Sequence, residues 1–505
     1  MTDVGSVADG APGEPAGSDL ARAGAKGTLW QGAAFVLGKG IVLVTTVLLA
    51  RVLAPEQFGL VSLALVLIAY AEAVADVGVA QALVYLPRAT GTTRAAVLCS
   101  LGVGALLVLL GLAAAPAIAD FFGRDDVTPL VRLLALSLLT SAGGAVPEAL
   151  LRRALLFHRL TVAAVVRAVA TGAVSIVLAL AGFGAWALAW GTLAGSAAYA
   201  LAAWLLLPER PDVRVWRATR PDLRTVLAYG VPVAGGALLA KLLFDVDYLV
   251  VGHLEGAEAL GFYTLAFRIP ELLIINVFFV ISSVTFPLYS RARSDGNTLR
   301  RGYLFSVRIQ SLYGVCAGVG IAATAHLLVP LVFGDAWRPA VGPLVALAIY
   351  AAFRSLGAGA NEVYKAMGRP GLSVTVSLVR LAILVPALVL ATRWGVSGVA
   401  WAQAATSLLF VLLTQGVACR VLRLPGRALL ADVSPALLCG AAVAVVASSL
   451  ARLPLPPVLA LALAVVGGIL AAAGILLLGY RAMVRELLQI LLPARRSPVP
   501  HSAGA

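Results

Sequence analysis

Long apolar stretches recur along almost the whole chain, and they constrain its fold more than any other feature. A helix that crosses a membrane needs about 20 apolar residues, because an unpaired backbone amide in hydrocarbon costs several kcal/mol. Of the 505 residues, 61% are hydrophobic and 12% are charged, and the mean hydropathy is +0.97. Water cannot be the main solvent of such a chain. We therefore predict an all-α integral membrane protein.

Turns and charged residues divide the apolar sequence into fourteen candidate spans. Their predicted bounds are 28–50, 58–82, 95–118, 129–150, 161–182, 184–207, 226–250, 261–284, 305–331, 340–363, 373–392, 396–418, 433–450 and 457–479. The breaks carry turn residues or charges, as in Ala54-Pro55-Glu56. The connecting loops are too short for a folded domain outside the membrane, so the function must reside among the helices.

The distribution of Lys and Arg predicts the orientation in the membrane. Cytoplasmic loops are enriched in these residues. When the loops are assigned alternately to two sides, 25 basic residues fall on the side of the N-terminus and five on the other. This split predicts a multi-pass plasma (inner) membrane protein with both termini in the cytoplasm. It also explains the net charge of +14 without nucleic acid as a partner.

Several features recur in the same order about 200 to 213 positions apart. Lys39 precedes Gly59 by the interval that separates Lys241 from Gly261. Six helices return the chain to the same side, so a six-helix repeat predicts two parallel lobes around a central cavity. The predicted divisions are a disordered cytoplasmic tail (1–25), an N-lobe (26–207), a cytoplasmic linker (208–225), a C-lobe (226–418), an appended helix pair (419–480) and a second cytoplasmic tail (481–505).

Four short motifs carry a resemblance to a known family. They are Gly-Thr-Leu-Trp at 27–30, Arg-Val-Leu-Ala-Pro-Glu-Gln-Phe-Gly-Leu at 51–60, Leu-Gly-Phe-Tyr at 260–263 and Gly-Arg-Pro-Gly at 368–371. With them, the chain from about 25 to 480 resembles the polysaccharide flippases of the multidrug/oligosaccharidyl-lipid/polysaccharide exporter superfamily, in particular the branch that exports colanic or teichuronic acid. The resemblance implies two lobes that open alternately, and a polyprenyl-diphosphate-linked oligosaccharide as cargo, moved with coupling to an ion gradient.

Basic residues inside the spans are candidates to bind an anionic headgroup, because charges in hydrocarbon usually face a cavity or a partner. Lys39 and Lys241 lie midway along the first helix of each lobe, where they could face each other across the cavity. A guanidinium group stays charged and binds two phosphate oxygens at once. The candidate substrate-binding residues are Lys39, Lys241, Arg167, Arg268, Arg354 and Arg380.

A structural role for some of these charges is the alternative. Lys241 can pair with Asp245 four residues on, Lys39 with Glu72 or Asp76, and Arg268 with Glu271. The acidic residues are themselves candidates for ion coupling, since carboxylates held together can form a proton or sodium site. The ion-coupling candidates are Glu72, Asp76, Asp245 and Asp247.

Catalysis, cofactors and metals are not indicated. The four histidines and four cysteines have no metal-ligand spacing, and no nucleophile motif or Gly-rich phosphate loop is present. We therefore expect a transporter and not an enzyme, with the polysaccharide polymerase and chain-length proteins as partners. The alternatives are a drug or cation antiporter of the same superfamily, and a membrane glycosyltransferase or polymerase.

Overall fold

The computed structural model describes residues 37–75, 79–85, 90–209, 211, 214–292, 295–481 and 483–485. Helices occupy nearly all of this part of the chain, which contains no β-strand. The prediction of an all-α fold is therefore confirmed. The predicted tail at 1–25, the motif at 27–30 and the start of the first predicted span lie outside the described residues.

The N-lobe is an antiparallel helix bundle. Its described helices are α1 (37–52), α2 (Pro55–Ala75), α3 (Val79–Tyr85), α4 (Thr90–Phe122), α5 (Val127–Arg153), α6 (Phe157–Leu180) and α7 (Ala185–Leu205). Helix α4 packs along α5, α6 packs along α7, and α5 contacts both α2 and α7. Small residues allow the closest approaches between helices, as membrane bundles require. At Gly191 of α7, an added Cβ would lie 1.8 Å from the Ser175 hydroxyl of α6.

The C-lobe repeats this arrangement around a central helix, α12. Its described elements are α8 (Arg220–Leu254), α9 (Ala257–Pro270), a π-helical turn (Glu271–Ile275), α10 (Asn276–Ala292), α11 (Gly296–Phe333), a 3₁₀ turn (Asp335–Ala340), α12 (Val341–Leu356), α13 (Ala360–Ala366), α14 (Pro370–Ala391) and α15 (Gly395–Leu422). Helix α12 packs against α9, α11 and α15.

Helix α8 begins within the predicted linker 208–225, six residues before the predicted span. The Thr219 hydroxyl accepts a hydrogen bond from the Asp222 N–H, and the Asp222 carboxylate accepts one from the Thr219 N–H. This capping box and Pro221 in the first turn start the helix. Hydropathy alone missed these turns because they are polar.

Twelve stretches of the described chain are long and apolar enough to cross a membrane. One of them, Gly371–Leu422, is 52 residues long and contains two of the predicted spans. The first predicted span is described only from residue 37. The protein is therefore a multi-pass membrane protein, and the count of fourteen helices stays a prediction.

The two lobes meet where α2 and α9 begin. An added Cβ at Gly59 would lie 1.6 Å from the Ala257 carbonyl oxygen, and one at Gly261 would lie 2.1 Å from the Pro55 carbonyl oxygen. Only glycine permits so close an approach of two backbones. Both Gly261 and Ala257 follow their N-lobe counterparts by 202 positions, so the repeat makes the same contact twice. We call this region of contact the closed end.

The buried side chain of Trp337 contacts both lobes at the closed end. Its indole N–H donates to the Ala50 carbonyl oxygen at 2.7 Å. The ring is completely buried and packs edge-on against Phe58 of the N-lobe and Phe262 of the C-lobe, with centroid distances of 5.2 and 6.0 Å. One side chain of the C-lobe therefore bridges both lobes.

Two further cross-lobe contacts surround the same region. Arg51, at the end of α1, donates to the carbonyl oxygens of Leu331 and Val332 near the end of α11. The His253 ring of α8 stacks on Phe121 of α4 at 4.1 Å, and its Nδ1 lies 2.6 Å from the Phe121 carbonyl oxygen. In the predicted orientation the closed end faces away from the cytoplasm.

Two more helices, α16 (Gly426–Ala451) and α17 (Pro457–Gly479), follow the C-lobe. Both pack against α11 and against each other. Asp432 of α16 accepts charge-assisted hydrogen bonds from the Arg308 guanidinium of α11, and both side chains are largely shielded. This ion pair joins the appended pair to the C-lobe.

Replacing Asp432 by Asn is expected to lower the thermal unfolding temperature of the detergent-solubilised protein by a few degrees. Hydrogen bonds to a charged group contribute about 1.5–3 kcal/mol each. The matched control is Asp335→Asn, because Asp335 pairs with Arg338 at 2.8 Å while both side chains remain more than two-thirds exposed. An exposed pair contributes about 0–1 kcal/mol. Equal shifts in the two variants would contradict the assigned role of the Arg308–Asp432 pair.

Candidate functional site

A cavity of about 650 Å³ lies between the lobes. Helices α1, α2, α6 and α7 line it from the N-lobe, and α8, α9 and the first residue of the π-helical turn line it from the C-lobe. Two of its lining residues adjoin the closed end: Phe58 contacts Trp337, and Leu49 precedes Ala50, whose carbonyl oxygen accepts the hydrogen bond from Trp337. The cavity therefore stops at the aromatic cluster that holds the lobes together.

Four basic side chains line this cavity. Lys39 and Arg167 come from the N-lobe, and Lys241 and Arg268 come from the C-lobe. The two lysines occupy equivalent positions of the repeat. Each lies 20 residues before the glycine at which its lobe contacts the other lobe. Four of the six predicted substrate-binding residues are thus brought together around one space.

Two carboxylates share the cavity with these cations. Lys241 Nζ lies 2.6 Å from Asp245 Oδ2, one helical turn apart in α8. Arg268 Nη1 lies 3.3 Å from Glu271 Oε2 across the junction of α9 and the π-helical turn. Pairing and cavity lining, which were alternatives at the level of sequence, therefore hold together for Lys241 and for Arg268.

Lys39 interacts across the lobes. Glu271 and Arg268, which line the C-lobe wall of the same cavity, are among the charged groups that act on it. Glu72, one of its predicted partners, accepts a hydrogen bond from the Ser141 hydroxyl at 3.0 Å. Asp76, the other predicted partner, lies outside the described residues. Sequence reasoning named Glu271 only as the partner of Arg268 and missed its place on the cavity wall, because the sequence of one helix does not show which of its faces turns toward the cavity.

Arg354 and Arg380 lie elsewhere in the C-lobe. The Arg354 guanidinium is 4.4 Å from the Phe244 ring centroid and donates to the Tyr350 hydroxyl at 2.8 Å. Arg380 also interacts with the Tyr350 hydroxyl, through its charge and a side-chain hydrogen bond. Neither arginine is among the residues that line the cavity.

Asp247 is directed away from the cavity, on the opposite face of α8 from Asp245. It is completely buried and accepts a hydrogen bond from the Tyr263 hydroxyl at 2.6 Å. The Gln403 amide of α15 lies 3.4 Å away. Three helices of the C-lobe thus converge on one buried carboxylate.

The repeat also relates uncharged positions of the wall. Ser62 and Thr264 are 202 positions apart, as are Thr46 and Tyr248, and all four line the cavity. These side chains carry hydroxyl groups, which can hydrogen-bond a sugar or a phosphate. Within the described residues, no group of three His, Cys, Asp or Glu side chains is placed to hold a metal ion.

Comparison with solved structures shows the fold. The lipid II flippase MurJ in an inward closed conformation matches 92% of this chain and 100% of its own, with 14% identity and a TM-score of 0.70. An inward-facing multidrug resistance MATE family transporter of the MOP superfamily matches 77% of this chain and 94% of its own, with 18% identity and a TM-score of 0.64. The chain therefore has the same fold as these two proteins, and the predicted fold class is confirmed.

Three proteins named for polysaccharide biosynthesis or transport are similar to this chain in sequence. Lipopolysaccharide biosynthesis protein WzxC of Escherichia coli is 24% identical over 72% of this chain and 74% of its own length. Teichuronic acid biosynthesis protein TuaB of Bacillus subtilis is 26% identical over 60% of this chain and 63% of its own. Succinoglycan biosynthesis transport protein ExoT of Rhizobium meliloti is 25% identical over 61% of this chain and 62% of its own.

A family model described as "Polysaccharide biosynthesis protein" matches residues 48–342. These residues include most of the N-lobe, the cavity-lining parts of α8 and α9, and the Trp337 turn. The resemblance to polysaccharide exporters is thereby confirmed. Because the match spans more than half of the chain, the protein belongs to this family of polysaccharide biosynthesis proteins.

Proposed function

We propose that this protein moves a polyprenyl-diphosphate-linked oligosaccharide across the plasma membrane by alternating access of its two lobes. The charge of the cavity carries the proposal. Four basic and two acidic side chains line it, which amounts to a formal charge of +2. A diphosphate brings at least two negative charges and is attracted to such a site. Lys39, Lys241, Arg167 and Arg268 then hold the diphosphate, and the hydroxyl-bearing side chains contact the sugar.

The names of the relatives support this class of cargo, since they refer to lipopolysaccharide, teichuronic acid and succinoglycan. A drug or cation antiporter is the second candidate within the same fold. Cationic cargo would be repelled by the positive excess of the cavity, so that candidate is less well supported. A glycosyltransferase or polymerase is the third, and it differs in that it forms a new bond. Incubating purified protein with labelled lipid-linked sugar distinguishes a transporter from an enzyme, because only the enzyme would convert the labelled sugar into a new product.

Coupling to an ion gradient forms part of the proposal. Asp245 lines the cavity beside Lys241, and Asp247 lies buried behind it. Protonation or sodium binding at these carboxylates would alter the charge that the cargo meets. Glu72, hydrogen-bonded to Ser141, and Asp76 complete the set of ion-coupling candidates. We place both termini in the cytoplasm, and we propose a polymerase and chain-length proteins as partners because they would use the translocated product.

Replacing Lys39 or Lys241 by alanine tests the site. Each variant is expected to transport the cargo about 10- to 150-fold more slowly, because an ionic hydrogen bond to phosphate contributes about 1.5–3 kcal/mol. The measurement is the appearance of labelled lipid-linked oligosaccharide in the outer leaflet of proteoliposomes. Lys365→Ala is the matched control, since Lys365 is exposed and does not line the cavity. Wild-type rates in both cavity variants would remove these lysines from the mechanism.

A further inference from the structure

Glu271 occupies an unusual place on the cavity wall. It is the first residue of the π-helical turn that follows Pro270 of α9. Turns of this type widen the helix by one residue and often occur at functional sites. The side chain is 31% exposed, lines the cavity and contacts Arg268 at 3.3 Å. It can therefore be reached by anything that enters the cavity.

The repeat does not account for this carboxylate. The positions 202 residues earlier than Arg268 and Glu271 are Val66 and Ala69, which also line the cavity. The N-lobe wall is thus apolar where the C-lobe wall carries an ion pair. An acidic group on a wall that attracts anions opposes the binding of anionic cargo. A carboxylate at this position therefore needs a functional explanation other than direct binding of the cargo.

Glu271 acts on cations of both lobes. It contacts Arg268 in the C-lobe, and its charge acts on Lys39, which lines the same cavity from the N-lobe. A partly exposed pair separated by three residues is weak. A phosphate group can bind the Arg268 guanidinium through two oxygens and displace a single carboxylate oxygen. The Lys241–Asp245 pair is shorter and the Asp245 side chain is less exposed, so it is harder to displace.

We propose that Glu271 is an internal counterion that competes with the anionic headgroup of the cargo for Arg268 and Lys39. Cargo displaces Glu271 on binding, and Glu271 re-forms its pair with Arg268 when cargo leaves. The carboxylate therefore lowers the affinity for anionic cargo and accelerates release. This inference rests on the proposed function, because it assigns one residue the task of limiting affinity at the same site.

Glu271→Gln tests the inference, since glutamine keeps the size of the side chain and removes its charge. The probe is a radiolabelled polyprenyl diphosphate, bound to purified protein in nanodiscs. The variant is expected to bind the probe about twofold to fivefold more tightly and to release it more slowly. Ala69→Glu, which adds a carboxylate at the equivalent N-lobe position, is expected to weaken binding by a similar factor. Unchanged or weaker binding by Glu271→Gln would overturn the counterion role.

Glu258→Gln is the matched control. Glu258 lies in the first turn of α9, the helix that precedes the π-helical turn, is exposed and does not line the cavity, so wild-type affinity is expected. Binding of the uncharged polyprenol distinguishes a failure of the proposed function from a failure of the counterion role. Wild-type protein that binds polyprenol as tightly as the diphosphate would contradict the proposed function itself. A preference for the diphosphate that Glu271→Gln leaves unaltered contradicts the counterion role alone.

Discussion

Alanine at Gly59 or Gly261 is expected to reduce transport about 5- to 150-fold. The added Cβ would lie 1.6 Å from the Ala257 carbonyl oxygen in the first variant and 2.1 Å from the Pro55 carbonyl oxygen in the second. Both obstacles are backbone atoms that cannot rotate away. Overpacking of this kind costs about 1–3 kcal/mol, and here the cost falls only on the conformation in which the lobes meet. The lobes should therefore separate at the closed end.

Spin labels at Asp125 and Ala336 measure that separation, since both are exposed and belong to different lobes near the closed end. A longer mean distance is expected in Gly59→Ala and Gly261→Ala than in the parent. Gly102→Ala serves as the control, because Gly102 lies in a membrane helix with no atom within 4 Å of an added Cβ. Unchanged distances and transport in both cross-lobe variants would show that the closed end tolerates the extra atom.

Trp337→Ala is expected to destabilise the protein by about 3–5 kcal/mol, the usual cost of removing a fully buried large aromatic ring. The variant loses the edge-on contacts with Phe58 and Phe262 and the hydrogen bond to Ala50. Because these contacts join the lobes, the same spin-label pair should also report a larger separation. Trp337→Phe keeps most of the ring and loses the N–H donor, so its effect should be smaller, about 1–3 kcal/mol.

Thermal unfolding in detergent measures the destabilisation. Trp394→Ala is the matched control, since Trp394 also lies in a 3₁₀ turn but is 69% exposed. Little change in its unfolding temperature is expected. Equal unfolding temperatures for Trp337→Ala and Trp394→Ala would exclude a special role for the buried indole in joining the lobes.

Sequence patterns predicted the architecture because membrane insertion is governed by local properties. Apolar length defines a spanning helix, and the interval from Lys39 to Gly59, repeated from Lys241 to Gly261, revealed the two related lobes. The ends of the helices were harder to predict from the sequence. The polar first turns of α8 begin at a Thr219–Asp222 capping box, which a hydropathy criterion does not detect.

Site residues were only partly predictable. Charges inside spans identified Lys39, Arg167, Lys241 and Arg268, which line one cavity. The same criterion selected Arg354 and Arg380, which instead surround Tyr350 in the C-lobe. A charged residue in a membrane span needs a polar environment. Either a polar cavity or a neighbouring side chain such as the Tyr350 phenol can provide it. The direction of each side chain depends on helix rotation, which the sequence of one helix does not reveal.

By itself, the sequence determined that this protein is a helical membrane protein built from two related halves, with an excess of buried positive charge. These properties follow from the cost of exposing backbone and charge to hydrocarbon, which each segment meets independently. Only the tertiary structure decided which charges share the cavity, that Glu271 lies on the same cavity as Lys39 of the other lobe, and that Gly59, Gly261 and Trp337 close one end. Such features arise from contacts between segments more than 200 residues apart, and their geometry is set by how the helices pack.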